Sequence, residues 1–149
     1  MLIMVKPEVK SLFAAAMLRF VTAVKTESEI CAGLCGDFNE KELLIIVFVG
    51  ERDSVKMSEI ADYLRTPLST LTSVVDKLVE RQYLSRVHSD EDRRVVRVTL
   101  QNKGKIAYRT FLKRKEEMTE KVLGSFSDAE QAKFISYLQK MSGVIESLQ

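Results

Sequence analysis

The alternation of apolar and polar positions divides the chain into helical and extended stretches. From Pro7 to about Ile30, Val9, Leu12, Phe13, Ala16, Phe20 and Val24 recur at i, i+3, i+4 and i+7, the stripe of one long helix. A short segment containing Gly33 and Gly36 follows. Asn39 with Glu42 then forms a capping box, Phe38 and Leu43 stand at the staple positions, and the run LLIIVFV predicts a central, buried helix stopped by Gly50. Ser58 is read as the cap of a short helix, Glu59–Arg65, and Thr66 as the cap of the next, with Pro67 at its first position and an end near Arg81. Two short helices across a tight turn make a helix-turn-helix pattern. The period then changes from 3.6 to 2: Leu84–His88 and Val95–Leu100, joined by the polar loop 89–94, predict a β-hairpin. A long helix is expected over Asn102–Leu123, and a last one after the capping box of Ser127 and Glu130. In the last helix, Phe134, Leu138, Met141, Ile145 and Leu148 step by 4, 3, 4, 3, a narrow seam that pairs with another helix.

Composition narrows the class. The 149 residues suit one domain, and 46% hydrophobic with 30% charged residues is a globular balance. The longest apolar runs, Leu12–Leu18 and Leu43–Val49, are far short of a membrane span. The first ten residues lack the basic flank and cleavage site of a signal peptide, so a cytoplasmic protein is expected. Net charge is only +2, but residues 52–115 hold 15 Lys and Arg against 8 Asp and Glu, while the flanks hold 8 against 13. A basic middle between acidic flanks points to a polyanion as partner.

The candidate chemistry lies in that middle. On helix 67–81, Leu71, Val74, Val75 and Leu78 turn inward. Ser69, Ser73 and Asp76 then point outward, flanked by Thr70, Thr72 and Lys77. Small hydroxylic residues let a helix sink into a DNA major groove and bond to base edges or phosphates. Arg93 and Arg94 stand near the hairpin tip, suited to a narrow minor groove. Asp90, Glu91 and Asp92 beside them are assigned to capping the turn and orienting the arginines, and Asp76 to buttressing Arg86.

This stretch resembles the MarR family of winged-helix regulators, through Thr66-Pro67-Leu68-Ser69-Thr70-Leu71-Thr72, Asp76-Lys77-Leu78, Tyr83-Leu84, Arg86 and Asp92-Arg93-Arg94. The family's wing signature is matched in spacing by Asp92, Arg94, Leu100 and Gly104. The resemblance implies a mainly α fold with a small β-hairpin wing. A winged helix-turn-helix lobe over 37–100 would be flanked by dimerisation helices over 1–36 and 101–149, as one domain over 1–149. It implies a homodimer reading an inverted repeat of double-stranded DNA. The DNA-binding residues would be Ser69, Thr70, Thr72, Ser73, Lys77, Arg86, Arg93 and Arg94. Members usually repress, and many release DNA when a small phenolic or other lipophilic ligand binds. Two positions depart from the pattern. Gln82 stands where the family has a left-handed glycine, at a cost of about 1 kcal/mol unless the turn differs. Gln101 stands where a capping Thr is usual.

The remaining candidates are weaker. Phe13, Met17 and Phe20 could line a ligand cavity or form plain dimer core. Cys31 and Cys35, at i and i+4, have no Lys, Arg or His within three residues to lower a thiol pKa, so ordinary reduced cysteines are expected, with redox sensing as an alternative. His88 is the only histidine and reads as a wing-surface residue. No phosphate loop, metal-ligand spacing or nucleophile–base pair is present, so neither an enzyme nor a metal or other cofactor is expected. A dimeric interaction protein that does not bind DNA is the other alternative. Lys103, Lys105 and Arg109 follow the wing and could meet phosphates, whereas Lys113, Arg114 and Lys115 read as a solvated face.

Overall fold

The computed structural model describes residues 4–88 and 95–148. The elements run α1 (Pro7–Gly36), α2 (Glu40–Gly50), β1 (Ser54–Lys56), α3 (Met57–Tyr63), α4 (Leu68–Glu80), β2 (Leu84–His88), β3 (Val96–Leu100), α5 (Asn102–Leu123) and α6 (Asp128–Glu146). They form two compact units, Met1–Phe111 and Leu112–Gln149, divided within α5.

In the first unit, α2 is the centre of the core. Leu43, Ile45, Ile46, Val47, Phe48 and Val49 are all buried, each side chain contributing about 1.5–3 kcal/mol by leaving water. The expected capping box holds its start: Asn39 Oδ1 accepts the Glu42 N–H at 2.9 Å, and Glu42 Oε2 accepts the Asn39 N–H at 3.0 Å. Val55, Ile60, Leu71, Val75, Leu78, Leu84 and Val98 complete the apolar interior. The sheet has the order β1-β3-β2, antiparallel throughout. The hairpin pairs Leu84 with Leu100 and His88 with Val96. Strand β1 was not expected. Its three residues are too few for an alternation, but Val55 pairs with Val98 and is buried.

Several expected boundaries move. α1 continues through Gly33 to Gly36, because Cys31, Ala32 and Cys35 extend its buried face. It ends at Asp37, in the left-handed region at φ 54°, with the Phe38 N–H returning to the Ala32 carbonyl at 3.2 Å. α3 begins at Met57 rather than Glu59, because Glu59 Oε2 accepts the Lys56 N–H at 2.6 Å; Ser58 lies inside the helix. Pro67 stands just outside α4 with ψ 140°, and the Thr66 hydroxyl donates to the Leu64 carbonyl at 3.1 Å instead of capping. Gln82 adopts the expected left-handed turn, with φ 65°. Gly50 is the last residue of α2, and a Cβ there would stand 2.5 Å from the Tyr108 ring.

In the second unit, Ser127 N–H and Oγ both donate to Glu130 Oε2, at 2.9 and 2.7 Å, so the carboxylate half of the expected box holds the start of α6. Gln131 donates its amide to the Leu123 and Phe126 carbonyls, and Phe126 stacks on Phe134 at 5.4 Å. Along the seam, Phe134, Leu138 and Met141 are half-buried, but Ile145 and Leu148 are exposed.

Candidate nucleic-acid interface

Helix α4 is held by Leu71, Val75 and Leu78, all 1% exposed or less. Their stripe fixes which residues face outward. Ser69, Thr70, Ser73, Asp76 and Lys77 are exposed, and Thr72 is half-buried. The outward surface of the first two turns is therefore small and hydroxylic. The Thr72 hydroxyl donates to the Leu68 carbonyl at 2.8 Å and the Ser73 hydroxyl to the Ser69 carbonyl at 3.5 Å. Each hydroxyl oxygen keeps acceptor lone pairs, and its O–H can rotate towards a new partner.

Arg86, on β2, forms an ion pair with Asp76 and also donates to the Thr72 carbonyl at 3.4 Å. Asp76 thus buttresses Arg86 as its sequence position suggests, and ties the hairpin to α4. Arg97, from β3, donates to the Ser54 carbonyl at 3.4 Å. A cavity of about 580 Å³ opens between the start of α3, α4 and the hairpin, lined among others by Lys56, Met57, Leu68, Thr72, Arg86 and Val96. Lys56 was not singled out from the sequence; only the unforeseen position of β1 brings it beside Thr72 and Arg86. Arg93 and Arg94, with Asp90, Glu91 and Asp92, lie outside the described residues.

The far end of α4 is anchored through Arg81. Its Nη2 donates to the Gly36 carbonyl at 2.9 Å and the Asp37 carbonyl at 3.2 Å, and its Nη1 meets Glu42 Oε1 at 3.4 Å. Tyr83 Oη donates to the same Gly36 carbonyl at 3.3 Å, and its ring packs edge-on against Phe38. Lys103 Nζ donates to the Arg81 carbonyl at 3.2 Å and lies 4.4 Å from the Tyr83 ring centroid, which gives this cation a structural place. Gln101 uses its amide to bond the Leu84 carbonyl at 2.9 Å, where a capping Thr is usual in the family it resembles. Lys113 faces Glu117 one turn on, at 4.0 Å.

The weaker candidates separate clearly. Phe13 and Phe20 are about half exposed, and with Met17 they form an open strip along α1. They line neither the cavity beside α4 nor a second one of about 500 Å³ lined by Gly50, Leu100, Lys105, Tyr108 and Arg109 among others. Cys31 and Cys35 are free and buried, with their sulfurs 3.7 Å apart. Burial, then the hydrogen bond with Cys31, pushes the Cys35 thiol up to about 12. A peroxide-reactive cysteine needs the opposite, a stabilised thiolate. His88 is an exposed residue at the end of β2. Among the described residues no helix is long and apolar enough to cross a membrane.

Comparison with known proteins agrees with this geometry. Residues 38–96 match the family model described as MarR family. The chain is 31% identical over 114 residues to the uncharacterized HTH-type transcriptional regulator YpoP of Bacillus subtilis, covering 76% of this chain and 81% of that one. It is 24% identical over 106 residues to the HTH-type transcriptional repressor MdtR of Bacillus subtilis, covering 71% and 68%. Among solved structures, it resembles Streptococcus pneumoniae FabT in complex with DNA at 25% identity and a TM-score of 0.78, covering 97% of this chain and 100% of that one. The hydroxylic outward face of α4, the hairpin tied to it, and these matches lead to one conclusion: the chain belongs to the MarR family of winged-helix, DNA-binding transcriptional regulators.

Proposed function

We propose that the protein is a homodimeric repressor that reads an inverted repeat in double-stranded DNA and is released by a small lipophilic or phenolic ligand. In this reading Ser69, Thr70, Thr72, Ser73 and Lys77 enter the major groove, with Arg86 beside them. Arg93 and Arg94 enter the flanking minor groove. The observation that carries it is the outward face of α4, where small hydroxylic side chains are exposed opposite the buried Leu71, Val75 and Leu78. The FabT structure supports the assignment, since that fold match extends over nearly the whole chain of a protein solved with DNA.

A dimer is supported by α1, where Leu12, Phe13, Phe20 and Val24 are 49–72% exposed along one helix. An apolar strip of this kind calls for a covering partner, and a second copy supplies the same strip. Repression is supported by the name of the relative MdtR. A ligand finds its candidate lining in Phe13, Met17 and Phe20 only if a partner closes their open strip.

Two variants test the assignment against a bound duplex. Lys77→Ala should lower affinity and, by removing one cation from the DNA interface, reduce the slope of log affinity against log salt by about one. Arg94→Ala should weaken binding severalfold and leave the melting temperature nearly unchanged. Wild-type affinity in both variants would remove these residues from the interface.

A further inference from the structure

Arg81 directly follows the last residue of α4, so the bonds of its guanidinium hold the end of that helix. The groups it grips are the carbonyls of Gly36, the last residue of α1, and of Asp37, its cap. That helix is 30 residues long, ends with no basic residue in its last turn, and presents the negative end of its dipole there. Arg81 supplies the missing cation from another element. The same fork reaches Glu42, a buried carboxylate whose second oxygen already caps α2. One planar group therefore joins the end of α1, the start of α2 and the end of α4. The guanidinium carbon lies 5.4 Å from the Phe38 ring centroid and 5.2 Å from that of Tyr83, and a Cβ on Gly36 would stand 2.8 Å from both residues, so the carbonyl it grips is closely packed.

We propose that Arg81 is a positioning residue: by capping α1 it sets the angle between α1 and α4, and so fixes the spacing between the two reading helices of a dimer built on α1. The inference rests on the dimeric reading above. Ser69 and Ser73 lie 8–12 residues from Arg81, roughly 12–18 Å along the helix, so Arg81 acts through α4 and touches no base that they read. A tilt of about 5° at the anchor would move the first turn of α4 by about 1.5 Å over that length. That exceeds the whole distance window of a hydrogen bond, about 0.5 Å wide. Arginine suits this place because its planar fork presents donors in fixed directions to two carbonyls and a carboxylate, whereas lysine offers a compact charge on a flexible stem.

The test compares the 149-residue chain with Arg81→Met, which keeps an unbranched apolar side chain, and with Arg81→Lys, which keeps the charge. The probes are the inverted-repeat duplex selected by the wild type and two versions with half-sites one base pair closer or farther. Wild type should prefer the selected spacing. Arg81→Met should lose roughly tenfold there, the scale of a charge-assisted hydrogen bond. Its affinity for the altered spacings should stay near wild type, so that the preference flattens. Arg81→Lys should fall between. A loss by the same factor on all three duplexes would make Arg81 a stability residue and overturn the inference, as would an unchanged preference. If circular dichroism finds Arg81→Met unfolded, Arg81→Lys decides by the same comparison. A wild type without any spacing preference would be a different result, overturning the dimeric reading and this inference with it.

Discussion

Gly104 stands on the first turn of α5, where an added Cβ would come within 2.2 Å of the Tyr83 carbonyl oxygen and 3.1 Å of Leu100 Cδ2. Gly104→Ala must therefore move backbone. An ordinary contact is about 3.5 Å, so α5 or the root of β2 would shift by about 1.3 Å. Neither is free to do so. The Tyr83 carbonyl accepts the Gln101 N–H at 3.0 Å, the Tyr83 N–H donates to the Leu78 carbonyl at 2.9 Å, and Tyr83 Oη is bonded to Gly36. Overpacking of this kind costs about 1–3 kcal/mol, and weakening one backbone hydrogen bond adds about 0.5–1.5 kcal/mol. The helix propensity gained from alanine returns at most about 1 kcal/mol. The net expectation is a destabilisation of about 1–3 kcal/mol, or a melting temperature lower by roughly 3–10 °C. Thermal and urea melts at one fixed protein concentration read it, since dimerisation makes stability depend on concentration. Gly33→Ala is the control: nothing lies within 4 Å of its added Cβ, and it should stabilise the chain by about 0.5–1 kcal/mol. A Gly104→Ala protein as stable as wild type would refute the close-packing argument.

Three further outcomes follow from local chemistry. Gln82→Gly should raise stability by up to about 1 kcal/mol in urea melts, because Gln82 holds a left-handed φ that glycine adopts without strain. An unchanged or lower midpoint would contradict that. Glu130 is held below its ordinary pKa by the Ser127 hydroxyl and N–H, so its contribution to the start of α6 is present above the ordinary glutamate pKa and is lost as pH falls through the lowered one. An NMR titration should find that lowered midpoint, and Ser127→Ala should raise it towards the ordinary value. Cys35, pushed up to about 12 by burial and by Cys31, should react slowly with a thiol reagent at neutral pH in the native protein and rapidly after denaturation. The same shift contributes stability that is full below the thiol's ordinary pKa and declines above it towards pH 12. Fast native labelling would restore the cysteines as candidate sensors.

What the sequence made legible was local. The capping box of Asn39 with Glu42 and the closure of the Glu130 carboxylate on the Ser127 N–H and hydroxyl both lie within four residues, and both are present in the structure. The inward stripe of α4 and the two alternating strands of the hairpin have equally short-range signatures, whereas the left-handed turn at Gln82 was expected only through the family resemblance. What failed was tertiary. Gly33 and Gly36 read as breakers, but Gly36 is small to admit Phe38 and Tyr83, whose approach depends on packing across 47 residues of sequence. Strand β1 exists because β3 offers it a partner. α3 begins early because Glu59 caps a backbone N–H, for which the identity of residue 56 is irrelevant. Arg81 bonds backbone carbonyls, which leave no mark on a sequence. Within the candidate site, the α4 face and the Asp76–Arg86 pair were legible, whereas the cavity they share with Lys56 was not.

Selection of bound duplexes from a random-sequence DNA pool, followed by sequencing, tests the central claim most directly. The account predicts enrichment of an inverted repeat with half-sites about one helical turn apart, bound with a steep dependence on salt. A folded protein that enriches no sequence would contradict it.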